Sequence, residues 1–230
     1  MTAKLALDDL GDLHKFQNKK QNVLVTAAAG GTGHLFSQLA KLSNPSQNFV
    51  VGTTSSQEKA DWLENFGVVD QAINLNEMKF SQKLKEMGLD DKLDLVYESV
   101  GKDLFDTCLL NMNYRGRLIT IGYIGGYQDN NPRSSVNVSN FGNSIPVRLL
   151  MKSASIKGFF LFHYAPEWKN AFEDICRLYE SGELKVHTDG GFGVDQIPGE
   201  HKFVGLDSVS DAVDYLYSRK SVGKIVVKMH

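Results

Sequence analysis

Cysteine is nearly absent from this 230-residue chain: Cys108 and Cys176 stand far apart, with no CxxC pair and no Cys-His cluster. That spacing signals neither a disulfide framework nor a tetrahedral zinc site, so both read as buried thiols in a reducing compartment and no metal is expected. Long hydrophobic runs are missing too, since no stretch reaches the roughly 18 apolar residues of a membrane helix. Met1 to Lys20 is polar with scattered single apolar residues, which fits neither a signal peptide nor a membrane span. Charge of one sign is lacking, because 25 Lys and Arg face 27 Asp and Glu for a formal net charge of -2. Nothing in that balance argues for nucleic acid or an anionic membrane as partner. A small molecule is the expected partner. The expected setting is the cytoplasm, with an organelle left open.

With 42% hydrophobic residues, the chain can bury one large core, or one core and an appendage. From Val23 onward, short β-branched runs alternate with longer amphipathic segments, the pattern of a parallel sheet covered by helices on both faces. Six strands are predicted, at Val23–Ala27, Phe49–Gly52, Gln71–Ile73, Leu93–Tyr97, Arg117–Ile121 and Ser155–Leu161. Helices are expected at Gly33–Leu42, Gln57–Phe66, Phe80–Met87, Leu104–Leu110, Pro166–Tyr179 and Val209–Tyr217, and a closing strand at Lys224–Lys228. Gly125–Asn143, rich in Gly, Asn, Ser and Pro, is too long for an ordinary connection and reads as a functional loop or a disordered one. Past Gly182 the strand–helix alternation stops. A boundary is therefore placed there, dividing residues 1–182, an α/β doubly wound (Rossmann) domain with a six-stranded parallel sheet, from a C-terminal segment, 183–230.

Thr26-Ala27-Ala28-Ala29-Gly30-Gly31-Thr32-Gly33 follows the first strand and opens the first helix, the context in which a glycine-rich turn gains weight. As a dinucleotide fingerprint it is Ala28-x-Gly30-x-x-Gly33, with Ala at the first glycine position. Gly30 would let the backbone approach a pyrophosphate, Gly33 would let helix and strand pack closely, and the helix N-terminus would donate amides. An NAD-selective site carries Asp or Glu about 20 residues further on, to accept from the ribose 2′-hydroxyl. Here Gly52-Thr53-Thr54-Ser55-Ser56-Gln57-Glu58-Lys59 offers hydroxyls and a cation instead, which suits a 2′-phosphate and hence NADPH. The same stretch has a structural reading: Ser55 with Glu58 spells a capping box, and Lys59 could be a solvated helix residue.

These residues, together with Tyr97-Glu98-Ser99-Val100-Gly101, Gly116-Arg117-Leu118-Ile119 through Gly122, Gly158-Phe159-Phe160-Leu161 and Gly223-Lys224-Ile225-Val226-Val227, occur in an order that resembles the medium-chain dehydrogenase/reductases of the quinone oxidoreductase and prostaglandin reductase kind. The likeness runs from Thr2 to Val227. It implies a zinc-free, homodimeric enzyme that transfers hydride from NADPH to an α,β-unsaturated ketone or a quinone. It also implies roles for particular residues. Gly30, Gly31, Thr32 and Gly33 would hold the pyrophosphate, and Ser55, Ser56 and Lys59 the 2′-phosphate. Ser99 would lie by the adenosine half or the bridging phosphates. Ile124 and Tyr127 would flank the nicotinamide ribose, with Gly122 among the cofactor-binding residues and Tyr127 the candidate catalytic residue, orienting the ribose and assisting the enolate. The backbone of Phe160, Leu161 and Phe162 would meet the carboxamide, and Ser221 would stand before the closing Gly-Lys. Ile124 and the Phe run could equally be plain core.

Three departures stand against the resemblance. Leu75 replaces a Tyr near the 2′-phosphate, Ser221 and Phe162 stand where Asn is usual, and the chain begins at Thr2 where a catalytic domain hands over to the cofactor domain. The C-terminal segment is accordingly expected to belong to a mostly absent second domain. Two functions follow: a reductase by lineage, or a non-catalytic NADPH-binding and dimerisation module.

Overall fold

The computed structural model describes residues 1–16, 19–45, 48–128 and 145–229. Six strands, β1 (Gln21–Val25), β2 (Asn48–Thr54), β3 (Gln71–Asn74), β4 (Leu93–Glu98), β5 (Met112–Thr120) and β6 (Ser155–Gly158), form one sheet in the order β3-β2-β1-β4-β5-β6. Every neighbouring pair is parallel. Parallel neighbours require crossovers, and these are helices: α2 (Gly33–Ser43), α3 (Gln57–Asn65), α4 (Phe80–Glu86), α5 (Lys102–Leu110) and α6 (Ile145–Lys152). α1 (Thr2–Leu5) precedes the sheet, and α7 (Trp168–Glu180) and α8 (Val209–Tyr217) follow it.

Side chains alternate across a strand, so the central strands feed two cores. Val23, Val25, Leu95, Tyr97 and Ile119 face one, with Phe36 and Leu39 of α2, Leu63 of α3 and Ala171 of α7. Leu24, Val96 and Leu118 face the other, with Leu84 of α4 and Cys108 and Leu109 of α5. Burial on both faces explains why β1 reads as a continuous apolar run. Each such side chain contributes about 1.5–3 kcal/mol.

Several boundaries differ from expectation. β6 ends at Gly158, because Leu161–Glu167 winds into a 3-10 stretch, and α7 starts at Trp168 rather than Pro166. β5 begins five residues early, at Met112. The closing strand shrinks to β8 (Lys224–Ile225), which pairs in parallel with β7 (Thr188–Asp189). α6 was not expected, and the loop it ends, foreseen over Gly125–Asn143, falls from residue 129 onward outside the described residues. Nor was any element expected at the start of the chain. There α1 runs on into a π turn, Ala6–Leu10, and buries Ala3, Leu5, Ala6 and Leu7 in the first core.

Candidate functional site: the carboxyl edge of the sheet

In this strand order the chain runs outward in one direction from β1 to β3 and in the other from β4 to β6. β1 and β4 therefore flank the switch point, where a crevice opens beyond the carboxyl ends of the strands. The two strand ends are tied together there. Thr26 N–H donates to the Tyr97 carbonyl at 3.0 Å, Ser99 N–H donates to Thr26 Oγ1 at 2.9 Å, and Ser99 Oγ donates back to the Thr26 carbonyl at 3.3 Å.

The glycine turn leaves this knot. Ala27 takes a left-handed conformation, φ 47°, and Gly30 N–H closes the turn on its carbonyl at 2.9 Å. A Cβ on Gly33 would lie 2.5 Å from that same carbonyl oxygen, so glycine is needed for the helix to start against the strand. Thr32 occupies the N-cap of α2 without a side-chain capping bond. Within the first turn His34 N–H donates back to the Gly30 carbonyl at 3.1 Å, and the other first-turn amides have no intrahelical acceptors.

On the β4–β5 side, Ile124 N–H donates to the Ser99 carbonyl and Gly125 N–H to the Val100 carbonyl, both at 3.0 Å. The loop after β5 thus hangs on the turn after β4. Below it, Glu98 is fully buried, and its Oε1 accepts from Val100 N–H at 2.8 Å and Gly101 N–H at 2.9 Å. Burial pushes this carboxyl above the usual carboxylate range, against the pull of those hydrogen bonds. Tyr127 is exposed, and its hydroxyl oxygen accepts from Tyr123 N–H at 2.9 Å, which leaves the hydroxyl proton free to donate. A Cβ on Gly122 would come within 3.0 Å of that oxygen.

At the end of β2, Ser56 rather than Ser55 is the N-cap of α3, accepting from Lys59 N–H at 3.4 Å. The capping box expected from Ser55 and Glu58 is not formed: with Ser56 as the cap, the third helical residue is Lys59, which cannot reach back as an acceptor. Lys59 is only 8% exposed, and its Nζ donates to the Arg219 carbonyl at 2.6 Å. Burial lowers its pKa to about 8, while Asp189 works in the opposite direction. Ser55, Ser56 and Lys59 border a cleft of about 750 Å³ whose other wall is the C-terminal segment. Ser221 is half-buried in that segment, and two residues on Gly223 N–H donates to the Ala29 carbonyl at 2.7 Å, laying the chain against the glycine turn.

Gly30 to Gly33, Ser99 and Ile124 thus meet around the Thr26–Ser99 knot, and Gly122 lies against the Tyr127 hydroxyl in the loop that hangs from it. Ser55, Ser56 and Lys59 flank it beyond β2, with Ser221 close by in the segment that covers the turn. Phe160, Leu161 and Phe162 follow the edge strand β6 at the opposite end of the row. Phe160 and Phe162 are exposed, while Leu161 packs on the core and its carbonyl accepts from Trp168 Nε1–H at 3.1 Å. Thr26, Glu98, Asp189 and Arg219 were missed by sequence reasoning. Of these only Asp189, opening Asp-Gly-Gly, carried a local turn signal. Among the described residues no three His, Cys, Asp or Glu side chains gather as metal ligands, and no helix is long and apolar enough to cross a membrane.

A sheet ordered 3-2-1-4-5-6, with a glycine turn and an uncapped helix start at its switch point, defines a Rossmann domain of dinucleotide-binding design. More particularly, residues 31–177 match the family described as zinc-binding dehydrogenase, and the chain belongs to that family. It is 42% identical over 228 residues to prostaglandin reductase-3 of Bos taurus, covering 99% of this chain and 56% of the relative. It is 34% identical over 230 residues to a probable quinone oxidoreductase of Leishmania amazonensis, covering 100% of this chain and 62% of that one. The chain thus spans little more than half the length of these relatives. In fold it is similar to CurA of Vibrio vulnificus, solved in complex with NADPH, at TM-score 0.79 and 24% identity over 100% of this chain and 61% of that one. It is likewise similar to Escherichia coli quinone oxidoreductase complexed with NADPH, at TM-score 0.71 and 23% identity over 99% and 62%.

Proposed function

We propose that this chain is the cofactor-binding part of an NADPH-dependent reductase whose acceptor is the C=C bond of an α,β-unsaturated ketone, of the 15-oxoprostaglandin kind, or a quinone. The reading is carried by 42% identity to prostaglandin reductase-3 along almost the whole chain. The donor set fits the cofactor: the first turn of α2 is uncapped, and hydroxyls and a sunken cation stand after β2 where an NAD site would place a carboxylate.

When bound, NADPH supplies the hydride, and the protein supplies binding, orientation and a dry pocket. In this reading Gly30 to Gly33 cradle the pyrophosphate, Gly30 by keeping the turn closed and Gly31, Thr32 and Gly33 by their amides, and Ser55, Ser56 and Lys59 take the 2′-phosphate. Ser99 lies beside the adenosine half or the bridging phosphates, and Ser221 closes the groove from the C-terminal side. Gly122, Ile124 and Tyr127 flank the nicotinamide ribose, and the backbone of Phe160 to Phe162 meets the carboxamide. The Tyr127 hydroxyl, whose oxygen already accepts from Tyr123, donates its proton toward the developing enolate oxygen.

Residues 1–182 are proposed as the NADP-binding domain and 183–230 as a segment that meets a second domain in the whole protein. Val186 and Val213 are exposed on it and Val226 is half-buried, apolar surface suited to such a partner. The test is stopped-flow oxidation of NADPH by a small enone and a quinone, comparing this chain with one extended to the length of its relatives. The extended chain should turn over at least about 10²-fold faster, since misplacing the acceptor costs that much. No oxidation by the extended chain overturns the reading, and equal rates overturn the domain division.

A further inference from the structure

Asp189 is completely buried in the C-terminal segment, and both of its carboxylate oxygens are heavily used. Oδ1 accepts from the amides of Gly191 at 2.7 Å, Phe192 at 2.9 Å and Gly193 at 3.1 Å. Oδ2 accepts from Val222 N–H at 2.9 Å and from the Tyr215 hydroxyl at 3.1 Å. One side chain therefore fixes the Gly191–Gly193 loop, α8 and the turn that carries Gly223 onto the glycine-rich loop. Gly191, Gly193 and Tyr215 line the cleft opposite Ser55, Ser56 and Lys59. Five donors thus converge on one carboxylate in a place where water cannot screen it.

We infer that Asp189 is a positioning residue for the 2′-phosphate end of the cofactor groove, holding the wall that faces Lys59 and acting as counter-charge to its sunken ammonium. This rests on the NADPH reading above. Lys59 needs such a counter-charge because its burial opposes protonation, leaving its pKa at about 8 even with the help of Asp189. The other ionic groups of the cleft balance, with Glu58, Asp195 and Asp211 against Lys202, Arg219 and Lys220. The fully buried Asp189 is left to tip the field at Lys59, and because its oxygens are saturated by donors it offers none of them to a phosphate.

The experiment is calorimetric titration of this chain with NADPH and NADH from pH 7 to 9.5, above the second ionisation of a phosphate monoester near ~6. In the native chain the preference for NADPH should fall through an inflection near 8, where Lys59 loses its proton. In Asp189→Asn the inflection should move down by about one pH unit, the effect of removing one neighbouring opposite charge. In Tyr215→Phe, which loses a hydrogen bond but no charge, it should stay. Asp189→Glu, with the charge kept but displaced, should weaken both cofactors with the inflection in place, and this variant carries the test if Asp189→Asn does not fold. A native preference flat to pH 9.5, an unmoved inflection in folded Asp189→Asn, or native-strength binding by Asp189→Glu each overturns the inference. Those results leave the cofactor reading standing. Failure of the native chain to bind NADPH at all removes the cofactor reading and the inference with it.

Discussion

At Lys59 the chain holds a cation where burial works against its charge, its ammonium resting on the Arg219 carbonyl. A 2′-phosphate arriving at this end of the groove would exchange a neutral acceptor for a charged one, which strengthens the bond. Lys59→Ala should weaken NADPH binding by about 1 to 3 kcal/mol, the range for a hydrogen bond to a charged group, and leave NADH almost unchanged. Calorimetry on the variant decides it, and equal losses for both cofactors would take Lys59 out of the 2′-phosphate role. At this scale the sequence was informative wherever a residue's neighbours in the chain are also its neighbours in space. Ser55, Ser56 and Lys59 were found together for that reason. Arg219, whose carbonyl holds Lys59, lies 160 positions along the chain and left no trace in the local pattern.

Among elements, the join between α2 and the C-terminal segment depends on protonation. Gln38 bonds both backbone groups of Lys185, donating to its carbonyl at 2.9 Å and accepting from its N–H at 2.8 Å. One turn earlier, His34 is completely buried between the Gly30 carbonyl, 2.9 Å from Nδ1, and the His187 amide, which donates to Nε2 at 3.3 Å. Only the neutral ring with its proton on Nδ1 satisfies both contacts. Burial first, and then the nearby His187, hold the His34 pKa below the usual imidazole value; burial also lowers that of His187. Both groups favour the neutral form on folding, so their contribution is present above the unfolded value of about 6.5 and is lost as pH falls through the lowered folded values. Urea midpoints should therefore drop as pH falls below about 6.5, and His34→Gln, which does not titrate, should flatten the profile. An identical slope in the variant would assign the loss to other groups. None of this docking was visible in the alternation of strands and helices, whereas α2 itself was predicted to within a residue, from Gly33 to Leu42 against Gly33 to Ser43.

Across the whole molecule, β6 forms one edge of the six-stranded sheet, with its outer backbone groups turned away from β5. An unpaired edge invites a further strand, and a second copy pairing there would give a homodimer with a continuous sheet. Light scattering at high micromolar concentration should return twice the 25.6 kDa of one chain, and a monomer would exclude the pairing. The sequence alone determined the succession of strands and helices, the place of the glycine turn and the missing acid after β2. Each is written in residues a few positions apart, through side-chain periodicity and the conformational freedom of glycine. Only the tertiary structure decided that Thr26 and Ser99 meet at the switch point, that Ala3, Leu5, Ala6 and Leu7 belong to the core, and that the Arg219 carbonyl takes the ammonium of Lys59. Those contacts join residues far apart in the chain, and their energy depends on which groups folding encloses together, a quantity that no local pattern of residues contains.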